Sequence, residues 1–149
     1  MYPLALGLHN LLRWVVIVAG MYATFRFWRA WLQRGSWTPT EGRWAQVFVI
    51  ALDAQFVVGL VLYVFLSPLT RQAFANMGAA MRDAPVRYFV VEHVVMMLAA
   101  IVLAHVGNVR VKRAATDAAK LQNAALWFGV ATAAVLGFVP WSRPLLPAF

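Results

Sequence analysis

Cysteine is absent from this chain of 149 residues, so disulfides, thiolate metal sites and cysteine nucleophiles are excluded. Acidic residues are scarce as well: five Asp and Glu stand against thirteen Lys and Arg, which gives a formal net charge of +8. Charged residues make up only 12% of the chain, whereas 63% of it is hydrophobic. A soluble domain of this size could not bury that much apolar surface. The composition therefore indicates a protein whose solvent is lipid.

Four long apolar runs dominate the sequence, and each is long enough to cross a bilayer. They predict transmembrane spans at about 3–25, 44–66, 88–106 and 121–141. We expect one all-α domain covering residues 1–149, an integral membrane protein built as an antiparallel bundle of four transmembrane helices. The connection 67–87 is the longest, and its Ser-Pro start predicts a short amphipathic helix on the outer surface. The fourth run is rich in Ala and Gly, which indicates close helix packing.

The basic residues flank the apolar runs, a pattern that predicts topology rather than a nucleic-acid partner. Eight of them belong to the loops 26–43 and 107–120, namely Arg26, Arg29, Arg34, Arg43, Arg110, Lys112, Arg113 and Lys120. Four belong to the other side, namely Arg71, Arg82, Arg87 and Arg143. We therefore expect both loops to be cytoplasmic and both chain termini to lie outside. The predicted location is the bacterial inner (cytoplasmic) membrane, crossed several times.

Polar residues inside the runs are the first candidates for function, because they are costly in hydrocarbon. In the first and third runs these are His9, Asn10, Arg13, Glu92, His93 and His105. His9 and His93 are each followed by arginines 17 and 20 residues later. At a rise of 1.5 Å per residue, both histidines then lie about 25 Å above the cytoplasmic boundary, on helices that run in the same direction. His105 has no histidine at its own depth.

Two imidazoles at one depth suit the two axial positions of a haem iron. We expect one haem b between the first and third spans, with His9 and His93 as ligands of the haem iron. The candidates for contact with the haem propionates are Arg13 and Asn10 if they point inward, and Arg87, Tyr88 and Tyr2 if they point outward. The candidates for packing on the ring are Trp14, Met96 and Met97, and a methionine is also a possible axial ligand.

Other interpretations of the same residues stay open. His9 and His93 could instead hydrogen-bond to lipid headgroups or helix ends. Glu92 could join the two histidines in a zinc or iron site, although Glu92 and His93 are adjacent and point about 100° apart on a helix. We expect Glu92 rather to orient an imidazole or to relay a proton.

The second run carries Asp53 and Gln55 near mid-depth. Gln55, Gly59 and Tyr63 form a stripe with a spacing of four residues, and Asp53 lies about 200° round the helix from Gln55. We expect one of the two to serve the interior and the other to meet a different helix or a partner subunit. Arg13 lies at a similar depth, so an Arg13–Asp53 ion pair or an Arg13–Gln55 hydrogen bond is expected as a structural contact.

Four segments carry a resemblance that covers nearly the whole chain. They are LHNLLRW around His9, VGLVLY after Gln55, RYFVVEHVVMM around His93, and the exit at Pro140–Trp141. With these segments the chain resembles a family of small four-span bacterial membrane proteins often labelled cytochrome b. The resemblance implies a b-haem held by His9 and His93.

The leading hypothesis is a b-type cytochrome-like subunit that exchanges single electrons with the quinol pool or with a larger respiratory complex. No catalytic residue is predicted, so an electron-transfer subunit is favoured over a stand-alone enzyme. The short chain favours a homo-oligomer or a subunit of a larger complex, and the expected partners are the lipid bilayer and quinone. The alternatives are a haem-free scaffold or accessory subunit, and a small proton or solute transporter that uses Glu92, Asp53 and His105 as a relay.

Overall fold

The computed structural model describes residues 1–142, so Arg143 lies outside the described residues. The regular structure within residues 1–142 is helical, and four helices are long and apolar enough to cross a membrane. They are span 1 (Tyr2–Leu32), span 2 (Pro39–Leu66), span 3 (Ala84–Arg113) and span 4 (Asp117–Phe138). The prediction of an all-α protein with four transmembrane-length helices is confirmed.

The helices are longer than the apolar runs. Span 1 continues to Leu32 instead of ending near residue 25, because arginine is a good helix former even though it ends the apolar segment. Arg26 lies on this extension and forms an ion pair with Glu41 at the beginning of span 2. A charged residue therefore ends the part of a helix that suits lipid without ending the helix itself.

Side-chain caps define where spans 2 and 4 begin. Thr38 and Glu41 form a capping box around the first turn of span 2, and Pro39 occupies a helix position that needs no N–H donor. Thr116 accepts a hydrogen bond from the backbone N–H of Ala119 at the beginning of span 4. The basic connections therefore end in well-defined helix starts.

Small residues let neighbouring spans approach one another closely. A Cβ on Gly107 of span 3 would meet Trp127 at 2.6 Å, and a Cβ on Gly20 of span 1 would meet the Phe48 ring at 2.7 Å. Phe48 and Phe128 are fully buried. Such close approach provides dispersion contacts, which hold helices together when hydrophobic burial gives no advantage in lipid. The packing role predicted for span 4 agrees with the full burial of its residues Ala124, Ala125 and Ala131.

The connection between spans 2 and 3 contains two short helices, Pro68–Ala75 and Met77–Ala80. In the first, Thr70 and Ala73 are buried while Arg71 and Phe74 are exposed, so one face packs against the protein. Ser67 caps this helix, since its side chain accepts from the Thr70 N–H. A helix therefore forms where the sequence predicted one.

Candidate functional site

Two adjoining cavities lie among spans 1, 2 and 3. They lie at the same end of these helices as the N-terminus of the chain. Their volumes are about 410 Å³ and about 110 Å³. Tyr2 and the short helix Pro68–Ala75 border the larger cavity, whereas Arg13 and Gln55 border the smaller one, which reaches toward mid-span. The residues that line both cavities are His9, Asn10, Gly59, Tyr63, His93, Val94 and Pro140. The two histidines thus border the same space.

His93 is held in a fixed orientation by span 4. Its Nδ1 lies 2.8 Å from the backbone carbonyl oxygen of Phe138, the last residue of span 4. A carbonyl oxygen can only accept, so Nδ1 carries the proton and donates to it. Nε2 is then unprotonated and has its lone pair available, which is the form in which histidine ligates a metal. The Tyr88 hydroxyl donates to the same carbonyl at 2.8 Å.

His9 fits against span 2 where that helix has no side chain. A Cβ added to Gly59 would lie 3.0 Å from Cε1 and 3.5 Å from Nδ1 of the His9 ring. The ring also faces the Gln55 backbone. Nδ1 is nevertheless buried without a hydrogen bond of normal geometry to any of residues 1–142. Gly59 therefore provides the room that the imidazole occupies.

Two π-helical turns shape the mouth of the larger cavity. They comprise Leu62–Leu66 at the end of span 2 and Tyr88–Glu92, directly before His93. The Tyr63 hydroxyl of the first turn donates to the Val90 carbonyl of the second at 2.8 Å. A π-helical turn changes the rotation of the residues that follow it, so the turn Tyr88–Glu92 sets the direction in which His93 faces.

The polar residues around the cavities are few. Besides the histidines, they are Tyr2, Asn10, Tyr63, Ser67 and Thr70 in the larger cavity, and Asn10, Arg13, Gln55 and Tyr63 in the smaller one. Arg13 is only 5% exposed. Most remaining wall residues are apolar, which suits a ligand that is itself mostly apolar with a few polar groups.

Several residues expected near a haem lie elsewhere. Met97 lines the smaller cavity, but Met96 lines neither. Trp14 packs edge-on against Trp141, with the ring centroids 6.4 Å apart. Arg87 donates through Nε to Glu92 at 2.8 Å and through Nη1 to the Met81 carbonyl, and it lines neither cavity.

Tyr88 does not line either cavity, although its ring centroid lies 6.2 Å from that of His93. Its contribution is the hydrogen bond to Phe138 described above. Glu92 is held by Arg87 and therefore does not orient His93 directly. Within residues 1–142, no three His, Cys, Asp or Glu side chains gather into a metal-binding group, so the zinc or iron site that would use Glu92 gains no support.

The prediction that Arg13 pairs with Asp53 or hydrogen-bonds to Gln55 is wrong. Asp53 does not pair with Arg13; its Oδ1 lies 2.9 Å from Nε2 of His105. Gln55 does not bond to Arg13 either, since its buried Oε1 has no hydrogen-bond partner among residues 1–142. The Arg13 guanidinium lies 5.9 Å from the Trp14 ring centroid. The depth of a residue along its span does not show which way its side chain points. The rotation of each helix about its axis decides which side chains come into contact.

The sequence alone missed three features of the site: the Phe138 carbonyl, the two π-helical turns, and the contact of Gly59 with His9. A backbone carbonyl and a π-helical turn have no residue signature. Gly59 did have a signal, because it lies on the stripe with Gln55 and Tyr63, and all three line the smaller cavity.

Comparison of the chain with family models, with curated proteins and with solved structures found no match. The class of the protein therefore follows from its own structure. It is a helical protein with four membrane-length helices and a cavity that two histidines from different spans share.

Proposed function

We propose that the protein is a small b-type cytochrome of the membrane, which carries one haem between spans 1 and 3 and transfers single electrons. The observation that carries this proposal is the position of His9 and His93, on different spans, at the wall of the same two adjoining cavities. In a chain with three histidines, two at one cavity provide the donor set of a six-coordinate haem.

The surroundings of both imidazole rings support haem ligation by His9 and His93. Span 4 fixes the protonation of His93 through Phe138, so Nε2 is free to bind iron. His9 is accommodated by Gly59, and its ring faces the Gln55 backbone. The third histidine, His105, is engaged with Asp53 and lines neither cavity.

The cavity walls suit the rest of a haem. The macrocycle is apolar, and its two propionates need cationic or polar neighbours. Arg13 and Asn10 border the smaller cavity, and Tyr2 and Asn10 border the larger one. Each cavity therefore offers polar partners for a propionate. Met97 lines the smaller cavity and would pack against the haem.

When bound, the haem supplies a one-electron iron couple. His9 and His93 would hold the haem, the apolar cavity walls would exclude water from it, and Arg13 would balance propionate charge. Burial and axial ligation are the means by which a protein sets the potential of a haem. The electron donor in this proposal is a quinol or a larger respiratory complex in the same bilayer.

The proposed setting is the bacterial inner membrane, with spans 1 to 4 as an antiparallel bundle. The excess of basic residues in loops 26–43 and 107–120 supports a cytoplasmic location for both loops and an external location for the chain termini. The histidines then lie toward the outer face, and the short helix Pro68–Ala75 covers the cavity at that face. The Arg26–Glu41 pair lies at the cytoplasmic end.

The test is the reduced-minus-oxidised absorbance spectrum of the purified protein, with hemin added during purification. We expect the α band of a b-type haem, and its loss in His9→Ala and in His93→Ala. His105→Ala is the matched control, because it removes an imidazole that lies outside the cavities, and it should keep the band.

A folded wild-type protein that stays colourless with added hemin would contradict the cytochrome and leave the haem-free scaffold as the better interpretation. Equal loss of the band in all three variants would also count against specific ligation by His9 and His93. Helical circular dichroism of each variant separates loss of haem from loss of folding.

The transporter interpretation has less support. Asp53 and His105 are in contact, but Glu92 is paired with Arg87 near the opposite end of span 3. The three residues therefore do not form the continuous relay that this interpretation requires. Proton flux in liposomes without haem would favour it.

A further inference from the structure

Asp53 and His105 form an ion pair in a place where lipid should be the only neighbour. Asp53 is the fifteenth of the 28 residues of span 2, which is the middle of that span. The side chains of Asp53 and His105 are 46% and 49% exposed. The other ion pairs in the described part of the chain, such as Arg26–Glu41 and Arg87–Glu92, lie near span ends, where water can reach them.

The pair is only half satisfied by the chain itself. The one hydrogen bond it makes joins Asp53 Oδ1 to His105 Nε2. Within residues 1–142, the second carboxyl oxygen of Asp53 and Nδ1 of His105 have no hydrogen-bond partner. Hydrocarbon offers no hydrogen bonds, so ionisable side chains inside membranes usually face protein or a water-filled cavity. The exposed side of this pair therefore requires a polar partner.

We infer that the partner is a second copy of this chain, which places its own Asp53–His105 pair against the first across a two-fold axis parallel to the membrane normal. Residues in contact within one copy lie at the same depth, and such an axis keeps that depth. Asp53 of each copy can then accept from His105 Nδ1 of the other. The four side chains then close a ring in which each carboxyl group faces two imidazole nitrogens and each imidazole faces two carboxyl groups.

The surroundings of the pair fit a self-complementary interface. Ile50 and Val57 lie three residues before and four residues after Asp53, on the same helix face, and are 56% and 59% exposed. Val102 and Val109 have the same spacing around His105 and are 58% and 45% exposed. Four aliphatic side chains thus surround one charged pair, so a second copy would bury the charges inside an apolar rim.

The absence of cysteine makes a cross-linking test direct, because each introduced thiol is the only one in its chain. We would place single cysteines at Ile50→Cys and Val102→Cys, on the proposed interface. Val18→Cys on span 1 and Val130→Cys on span 4 are matched controls, since both positions are at least 55% exposed and lie on other helices. Membranes are then treated with a short bis-maleimide, and the fraction of covalent dimer is measured.

We expect covalent dimer from the cysteines at positions 50 and 102, and little from those at 18 and 130. Adding Asp53→Leu with His105→Leu should reduce the linkage about tenfold, because two interhelical polar contacts are lost per dimer. These leucines suit lipid, so the variant should still fold. The exchanged variant Asp53→His with His105→Asp should restore the linkage.

The inference would be overturned by no dimer at positions 50 and 102, by equal dimer at the control positions, or by linkage unaffected by the two leucines. A monomer that instead cross-links to a different membrane protein through position 50 would also overturn it. The measurement needs no haem, so its result is independent of the cytochrome proposal.

Discussion

Replacement of Gly59 by valine tests whether span 2 leaves room specifically for the His9 imidazole. A Cβ at position 59 would lie 3.0 Å from Cε1 of His9, which is tighter than most real contacts, and the two methyl groups of valine add further bulk on that side. The ring must move away from the cavity or span 2 must move outward. Overpacking of this kind costs about 1–3 kcal/mol.

If the ring moves, the cost falls on haem binding, because His9 is one of the two proposed ligands. A penalty of 1–3 kcal/mol corresponds to haem binding weakened about 5-fold to 150-fold. The assay is titration of the haem-free protein with hemin, followed by the absorbance of the bound form. Circular dichroism at each step reports whether the helices persist.

Gly137→Val is the matched control for this experiment. Gly137 lies near the end of span 4, and a Cβ there would meet nothing within 4 Å. Valine at position 137 changes helix propensity in the same way but leaves the cavity untouched, so hemin affinity should change less than about twofold. Unchanged hemin affinity in Gly59→Val would refute the proposal that Gly59 provides the room for the His9 ring.

Three further substitutions test the framework of the fold by thermal unfolding in detergent. Gly20→Val should destabilise the protein by about 1–3 kcal/mol, because a Cβ there meets the Phe48 ring at 2.7 Å; unchanged stability would contradict the close contact of spans 1 and 2. Glu41→Ala removes the capping box and the ion pair with Arg26 and should cost about 0.5–2 kcal/mol, and no loss would show that this helix start is not stabilised by its cap. Tyr63→Phe should destabilise the protein by about 0.5–1.5 kcal/mol, because the hydrogen bond between the two π-helical turns is lost. The haem α band should persist. Loss of the band with intact helices would give this hydroxyl a role at the haem.

The membrane-length helices were predictable because their signal is strong. Each span contains an apolar run long enough for a bilayer, and nothing but a helix satisfies the backbone there. Helix ends were less predictable. Capping by Thr38 and the reach of Arg26 to Glu41 extend the helical structure beyond the apolar runs.

The rotation of the helices was not predictable from one sequence. Membrane helices are apolar on nearly every side, so there is little amphipathic pattern to show which face turns inward. The separation of Gln55 from Asp53 could be derived from helix geometry, and the structure has Gln55 at the smaller cavity and Asp53 on the exposed side. The sequence did not indicate which helix Asp53 would contact or that His105 would be its partner, because this contact depends on the rotation of both helices.

The site was predictable in its two histidines and in four of the other candidates that line the cavities, namely Tyr2, Asn10, Arg13 and Met97. Counting residues along each run placed His9 and His93 at one depth, and both border the same cavities. The Phe138 carbonyl that orients His93 is a backbone atom at the end of another span, so no residue type announces it. Arg87 and Trp14 were candidates by proximity in sequence, but each is engaged with a neighbour away from the cavities.

The central claim is that the imidazoles of His9 and His93 both bind one haem iron. The most direct measurement is electron paramagnetic resonance of the oxidised protein loaded with hemin, together with the ratio of haem to chain. The account predicts one haem per chain with a low-spin ferric signal from two imidazole ligands, and conversion to a high-spin signal or loss of haem in His9→Ala and in His93→Ala. A wild-type signal that is already high-spin, or a low-spin signal that survives either substitution, would contradict it.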